Sequence, residues 1–342
     1  MPRNILIIVE SPLQLINANE YLKAYEMESL TDFFLVSSRE KSNIDQMNKA
    51  FESLNLKGDI SRITVCDIDK SLITRFKFYW KVIKAARKKS SKRYDLLLVG
   101  HIASIYQAIL ANSRKNMKTI YLDDGTAAFY EHALLKEKKL KSFSPIHKRI
   151  FPILLGLKAN IISYQGKIHF FTMYKDLVEE DHDFLSYTLN EFLYLKEEYK
   201  KKRIDTDSIY FIGTPFYWNS DSLNNAESIF AQVGEFLKDK NVTYFPHRYE
   251  SDEHFKLVEK LGWNVVEAKV PIELSLINIS CLPNEFGMFT SSAFYTINKL
   301  IPYVKFKSFE LNNLEDIFNG TNTYKLYRDY DENLNIEVIK LN

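Results

Sequence analysis

The chain has 342 residues, enough for two domains of ordinary size. With 46% hydrophobic and 26% charged residues it reads as globular, which excludes a disordered chain, and a net charge of +2 singles out neither nucleic acid nor an acidic partner. Two cysteines far apart, Cys66 and Cys281, argue against a disulfide framework and a zinc site.

The opening run, ILIIV before Glu10, is too short for a secretion signal or a membrane span, so a cytoplasmic protein is expected. Apolar runs at 5–9, 32–36, 60–65, 95–99 and 119–122 predict strands. Amphipathic stretches at 12–26, 41–54, 72–88 and 102–113 predict helices between them. Strands that are apolar throughout and alternate with helices indicate a parallel sheet covered on both faces. The pattern then turns helical and basic up to the charged stretch Glu197 to Lys202, and a domain boundary is predicted near 205. Beyond it, strands are predicted at 209–212, 242–245, 264–266, 277–281, 287–289 and 303–306. Two doubly wound α/β domains, 1–205 and 206–342, suggest the two-domain GT-B arrangement of glycosyltransferases, with a cleft between the domains. Ligands in such sheets lie at the carboxyl ends of the strands.

The glycines form neither G-x-G-x-x-G nor Gly-Lys-Ser/Thr, which disfavours a dinucleotide oxidoreductase and a P-loop enzyme. D-x-D strings such as Asp67-Ile-Asp69 and Asp329-Tyr-Asp331 follow no convincing strand and carry little weight as metal sites.

Three strand ends hold chemistry. In Tyr121-Leu-Asp-Asp-Gly-Thr126 a strand runs into two acids and a glycine before a helix, so Asp124, with Asp123 second, is a candidate base; a capped turn would use the same residues. In Tyr244-Phe-Pro-His-Arg-Tyr-Glu250 a strand stops at Pro246 and presents His247 and Arg248, a pair suited to a phosphate, or else an ordinary surface loop. In Phe289-Thr-Ser-Ser-Ala-Phe294 the hydroxyls of Ser291 and Ser292 open a helix, as a phosphate cradle or simply as a cap. His101, just past the fourth strand, is a weaker candidate. Taken in order, an acid turn in the first domain and a phosphate cradle in the second suit transfer of a group from a phosphate to a hydroxyl.

Asp-Asp-Gly, a histidine–proline motif and a Ser-Ser pair, in that order, resemble the bacterial sialyltransferases of GT-B fold, within them the lipooligosaccharide sialyltransferase and capsular polysialyltransferase families. Ile8-Val-Glu-Ser-Pro-Leu-Gln-Leu15, Tyr210-Phe-Ile-Gly-Thr-Pro-Phe216 and Val270-Pro-Ile-Glu-Leu274 resemble segments of theirs, so the likeness runs from about residue 5 to 300. The resemblance implies inverting transfer of sialic acid from CMP-sialic acid to a glycan hydroxyl, with Asp124 as base and His247 on the departing phosphate. It further implies Ser291 and Ser292 holding that phosphate with Arg248, Glu273 near the cytidine ribose, and Gly213 and Thr214 on the donor side. Ser11, Pro12 and Gln14 would face the acceptor. One departure is that the order here is Pro246-His247, whereas the family has His-Pro. No cofactor and no obligatory metal are expected. Another CMP-activated sugar such as Kdo, or a non-catalytic nucleotide-binding α/β protein, remain alternatives.

Arg75 to Arg93 holds nine Lys or Arg and no acid, interleaved with Phe76, Phe78, Tyr79 and Trp80; Lys136 to Lys158 is a second basic stretch. Both suit anionic lipid or a polyanionic acceptor, and equally a solvated basic helix with its aromatics in the core. Nucleic acid is not expected, since no recognition module accompanies the charge. A homodimer is compatible with this reading.

Overall fold

The computed structural model describes residues 4–27, 30–37, 41–64, 72–88, 92–114, 116–125, 127–138, 140–174, 182–214, 220–247, 250, 252–266, 269–289, 291–310, 330, 332, 334 and 336–341, with only the backbone of 41, 42, 72, 73, 75, 116, 117, 129, 138, 220–225 and 292. The chain divides into two compact units, Met1–Tyr194 and Leu195–Asn342.

The first unit contains β1 (Asn4–Val9), α1 (Pro12–Ala24), β2 (Leu30–Ser37), α2 (Lys41–Ser53), β3 (Asp59–Thr64), α3 (Leu72–Arg87), β4 (Tyr94–Val99), α4 (Ile105–Asn112), β5 (Asn116–Leu122), α5 (Ala127–Lys138), α6 (Ile146–Leu154), β6 (Ile168–Thr172) and β7 (Leu185–Leu189). Its strands form one sheet in the order β3-β2-β1-β4-β5-β6-β7, every pair parallel. Parallel pairing demands helical crossovers, which cover both faces and bury central strands from either side. β1 shows this directly: Ile5 through Val9 are all at 0% exposure.

The second unit opens with the helix Leu193–Lys200, whose last residues belong to it, and continues through β8 (Arg203–Ile212), β9 (Asn241–Phe245), β10 (Asn264–Val265), β11 (Cys281–Met288), β12 (Lys305–Glu310) and β13 (Glu337–Lys340). The sheet order is β10-β9-β8-β11-β12-β13, again all parallel. Its core is aromatic. Phe211 sits among Trp263 at 5.1 Å, Phe289 at 5.3 Å and Tyr244 and Phe309 at 5.9 Å between ring centroids.

Three expectations are corrected. The charged Glu197 to Lys202 stretch does not end the first domain: it is mostly helical, and Leu195 and Tyr199 on the same helix are fully buried on the second-unit side of the division. The region read as helical and basic before it contains β6 and β7, short strands in which polar residues break the apolar run. The strand predicted at 277–281 is a turn, with Ile277 and Asn278 donating to the carbonyls of Leu274 and Ser275. The strand itself is Cys281–Met288, of which the expected strands covered only Cys281, Gly287 and Met288. Pro283 reads as a strand breaker, but it sits where the register against β8 shifts, an irregularity that accommodates a residue without an N–H.

Candidate active site

In the first unit β1, β4 and β5 lie side by side, and their carboxyl ends deliver Glu10–Ser11, Gly100–His101 and Asp123–Asp124 to one edge. Strand order reverses between β1 and β4, the position where open α/β sheets bind ligands. Gly125, at φ 67°, takes the left-handed conformation that turns the chain from β5 into α5.

The two adjacent acids have separate environments. Asp123 is 2% exposed; its carboxylate accepts the Met173 N–H at 2.6 Å, and its backbone carbonyl accepts the Asn17 amide at 3.1 Å. Asn17 accepts in turn from Asn190 at 3.1 Å, so Asp123 ties β5 to the ends of β6 and β7. Asp124 keeps 14% of its side chain exposed. Its Oδ1 accepts the Gln14 amide at 2.8 Å and the Ser11 hydroxyl at 3.1 Å. Gln14 is fully buried, and its carbonyl is fixed by the Glu10 N–H at 2.7 Å and the Gln107 amide at 3.2 Å. Ser11 caps α1 and Pro12 is its first residue, where a missing N–H costs nothing. The segment expected to face the acceptor thus holds Asp124.

His101 completes the arrangement. Its Nδ1 lies 3.5 Å from Asp124 Oδ2 and its Nε2 2.5 Å from Glu131 Oε1. Burial opposes charging the ring, but the Glu131 hydrogen bond and the charges of Asp124, Glu131 and Glu10 outweigh it and raise its pKa to about 9. The histidine is therefore an imidazolium between two carboxylates at neutral pH. His132, close in sequence, shows the opposite case: buried against Phe170 and Tyr187, its pKa falls to about 3. Glu131 and Glu10 were not anticipated, since a helix glutamate and a strand-end glutamate have no distinguishing pattern. Glu131 reaches His101 from α5, the helix after the Asp-Asp-Gly turn.

In the second unit β9, β8 and β11 are adjacent and end at Pro246–His247, Gly213–Thr214 and Phe289–Ser291. Glu250 binds the first two ends together. Tyr244 Oη donates to its carboxylate at 2.9 Å, and a Cβ on Gly213 would stand 2.3 Å from Glu250 Oε1 and 2.8 Å from the His247 nitrogen. Only glycine permits that approach. Ser291 caps the helix Ser292–Leu300, accepting from the Ala293 N–H at 3.2 Å, and is held in place by Tyr330, whose hydroxyl donates to the Ser291 carbonyl at 3.2 Å. Tyr330 lies in the C-terminal tail, where no motif was evident. Glu273 is buried on the short helix Ile272–Ser275, and its carbonyl accepts the Tyr199 hydroxyl. Arg248 and the Ser292 side chain lie outside the described residues.

Burial raises the Glu250 carboxyl to about 8, against hydrogen bonds from Tyr244, His247 and Thr214, and the Glu273 carboxyl to about 7. Both groups hold a proton in the fold that the unfolded chain loses near pH 4.5, so the folded state binds more protons from there to about pH 8. The sign follows: the stability these two carboxyls contribute falls as pH rises through that window. Thermal denaturation at pH 6.5, 7.25 and 8 should show a falling Tm, with a shallower slope in Glu250→Gln; below pH 6.5 the buried neutral rings of His132 and His254 act in the opposite direction. An equal slope in that variant would mean that Glu250 is ionised throughout.

No family model matches the chain, and neither does any curated protein sequence. Solved structures do. UDP-GlcNAc 2-epimerase from Methanocaldococcus jannaschii is similar with a TM-score of 0.53 at 12% identity, over 99% of this chain and 88% of that one. S. aureus MnaA, in a structure with UDP, is similar with a TM-score of 0.53 at 10% identity, over 97% of this chain and 88% of that one. A weaker likeness, with a TM-score of 0.42 at 10% identity over 97% and 98%, is to E. coli heptosyltransferase WaaC with ADP. At such identities the likeness is one of fold: two Rossmann-like parallel-sheet domains in series, the GT-B fold.

Proposed function

We propose that the protein is an inverting glycosyltransferase moving sialic acid from CMP-sialic acid to a hydroxyl of a cell-surface glycan precursor, a lipooligosaccharide or a capsular polysaccharide. The observation that carries the reading is the separation of the two acids. Asp123 is committed to the fold, while Asp124 is oriented by Ser11, Gln14 and His101 at the switch point and stays accessible. A carboxylate so fixed suits a general base. The choice of sugar rests on the sequence resemblance.

In the reaction the acceptor oxygen bonds to the anomeric carbon as its proton passes to Asp124. The bond from that carbon to the phosphate oxygen breaks, and CMP departs with the electron pair. His247 and Arg248 supply donors for the phosphate, and the N-terminus of Ser292–Leu300, capped by Ser291, supplies backbone N–H groups. Such a set can meet the leaving charge without a metal. Ser11, Gln14 and His101 act through Asp124 as positioning residues.

The likeness to UDP-GlcNAc 2-epimerases favours one second reading, an epimerase acting on a sugar nucleotide without an acceptor. The deciding assay follows CMP release from CMP-sialic acid in EDTA with galactoside and sialoside acceptors, beside CMP-Kdo and UDP-GlcNAc. Acceptor-dependent CMP release from CMP-sialic acid is expected. Conversion of UDP-GlcNAc without nucleotide release would establish the epimerase instead. Release from CMP-Kdo alone would change the donor, and release abolished by EDTA would bring a metal into the scheme.

A further inference from the structure

The helices α3 and α6 present an apolar face outward. On α3, Phe78, Val82 and Ile83 point into the core, whereas Phe76 and Trp80, one turn apart, are 54% and 45% exposed. Their rings stack at 6.4 Å with 15° between planes. Phe151 of α6 packs against both, at 5.9 and 6.4 Å, and Tyr79 Oη donates to the Lys148 carbonyl at 2.9 Å, fastening the two helices together. The aromatic cluster therefore runs on into α6. There Ile146, Ile150, Ile153 and Leu154 follow helical spacing along one stripe and are 61%, 49%, 52% and 76% exposed. A stripe of that spacing normally faces a core. Here it is turned away from one, and four aliphatic side chains beside a ring stack exceed the scattered exposure of an ordinary surface.

The two helices themselves carry charge of one sign. Lys77, Lys81, Lys84, Arg87 and Lys88 are exposed along α3, and Lys148 on α6. No Asp or Glu occurs between Asp69 and Asp95 or between Glu137 and Asp176. An apolar face on two helices that carry exposed cations and no acid is complementary to an anionic bilayer: aromatic and aliphatic groups enter the headgroup boundary while the cations meet lipid phosphates. A second copy of the same face would bring like charges together across a twofold axis, which disfavours self-pairing.

We propose that the α3–α6 face seats the protein on an anionic lipid surface, with Phe76, Trp80, Ile150 and Leu154 at the headgroup boundary. The proposal stands apart from the transfer reaction, because its test reads lipid binding and not turnover. The full chain is co-sedimented with vesicles of phosphatidylcholine containing about one third phosphatidylserine, and with phosphatidylcholine alone. Binding to the anionic vesicles is expected, weakening as salt is raised. The double variant Trp80→Ser with Leu154→Ser, and separately Lys77→Glu with Lys84→Glu, should each lower it by about tenfold or more. All four positions are exposed, and circular dichroism melts verify that each variant is folded. Three results would overturn the proposal: no sedimentation of the wild type, equal sedimentation of folded variants, or a lipid-free dimer that Trp80→Ser with Leu154→Ser dissociates, which would make the face a self-interface.

Discussion

Asp124→Asn should abolish most of the transfer while leaving the fold intact, and Asp123→Ala should do the reverse. Asparagine keeps the volume of Asp124 and an oxygen for the Ser11 and Gln14 donors, while its amide N–H turns toward His101 Nδ1, which accepts once the ring gives up that proton; the amide cannot take a proton from the acceptor. Removal of a general base lowers kcat by about 100- to 10,000-fold, with donor KM nearly unchanged. Asp123→Ala instead strips the acceptor from the Met173 N–H at a 2% exposed site. A buried donor left without its partner costs about 1–3 kcal/mol, which lowers Tm by about 5 °C in a domain of this size. Steady-state kinetics and thermal denaturation of the two variants test the assignment together. Equal losses of activity with unchanged stability in both would end the division of labour between the two acids.

His101→Gln should lower kcat by about tenfold or more and remove the alkaline limb of the pH profile. The protonated ring presents N–H groups to Glu131 and Asp124 at once. Above about pH 9 it loses one proton, and with Nε2–H retained toward Glu131 the bare Nδ1 lone pair faces the Asp124 carboxylate. The base then loses a holder, so wild-type activity should fall as pH rises through that value. The stability linkage has the same sign. A histidine whose pKa is raised from 6.5 to about 9 stabilises the fold fully below pH 6.5 and loses that contribution by about pH 9. Glutamine can still donate a hydrogen bond but does not titrate, so the variant's activity should be flat across pH 8–10. A variant retaining the wild-type profile would show that another group governs it.

Much of this could be read from the chain. The apolar runs at β1, β2, β4 and β5 are continuous because both faces of a parallel sheet are buried, and continuity is a local signal. Asp-Asp-Gly was visible because an acid pair and a glycine between a strand and a helix form a contiguous pattern. β11 was only partly legible, since Pro283 carries a strong local meaning that the register shift against β8 overrides. β7 was missed because only part of it is buried and its sequence, LSYTL, lacks a continuous apolar run.

Sequence alone determined the alternation of strands and helices, and hence two doubly wound domains, because each element's burial is written in its own few residues. Only tertiary structure decided which of two neighbouring acids stays accessible, since that depends on Gln14, His101, Glu131 and Met173, which arrive from α1, the β4 end, α5 and the β6 end. It also decided that Phe76 and Trp80 face out while Phe78 faces in. Local pattern records how apolar a residue is; the direction in which it points is set by what packs behind it.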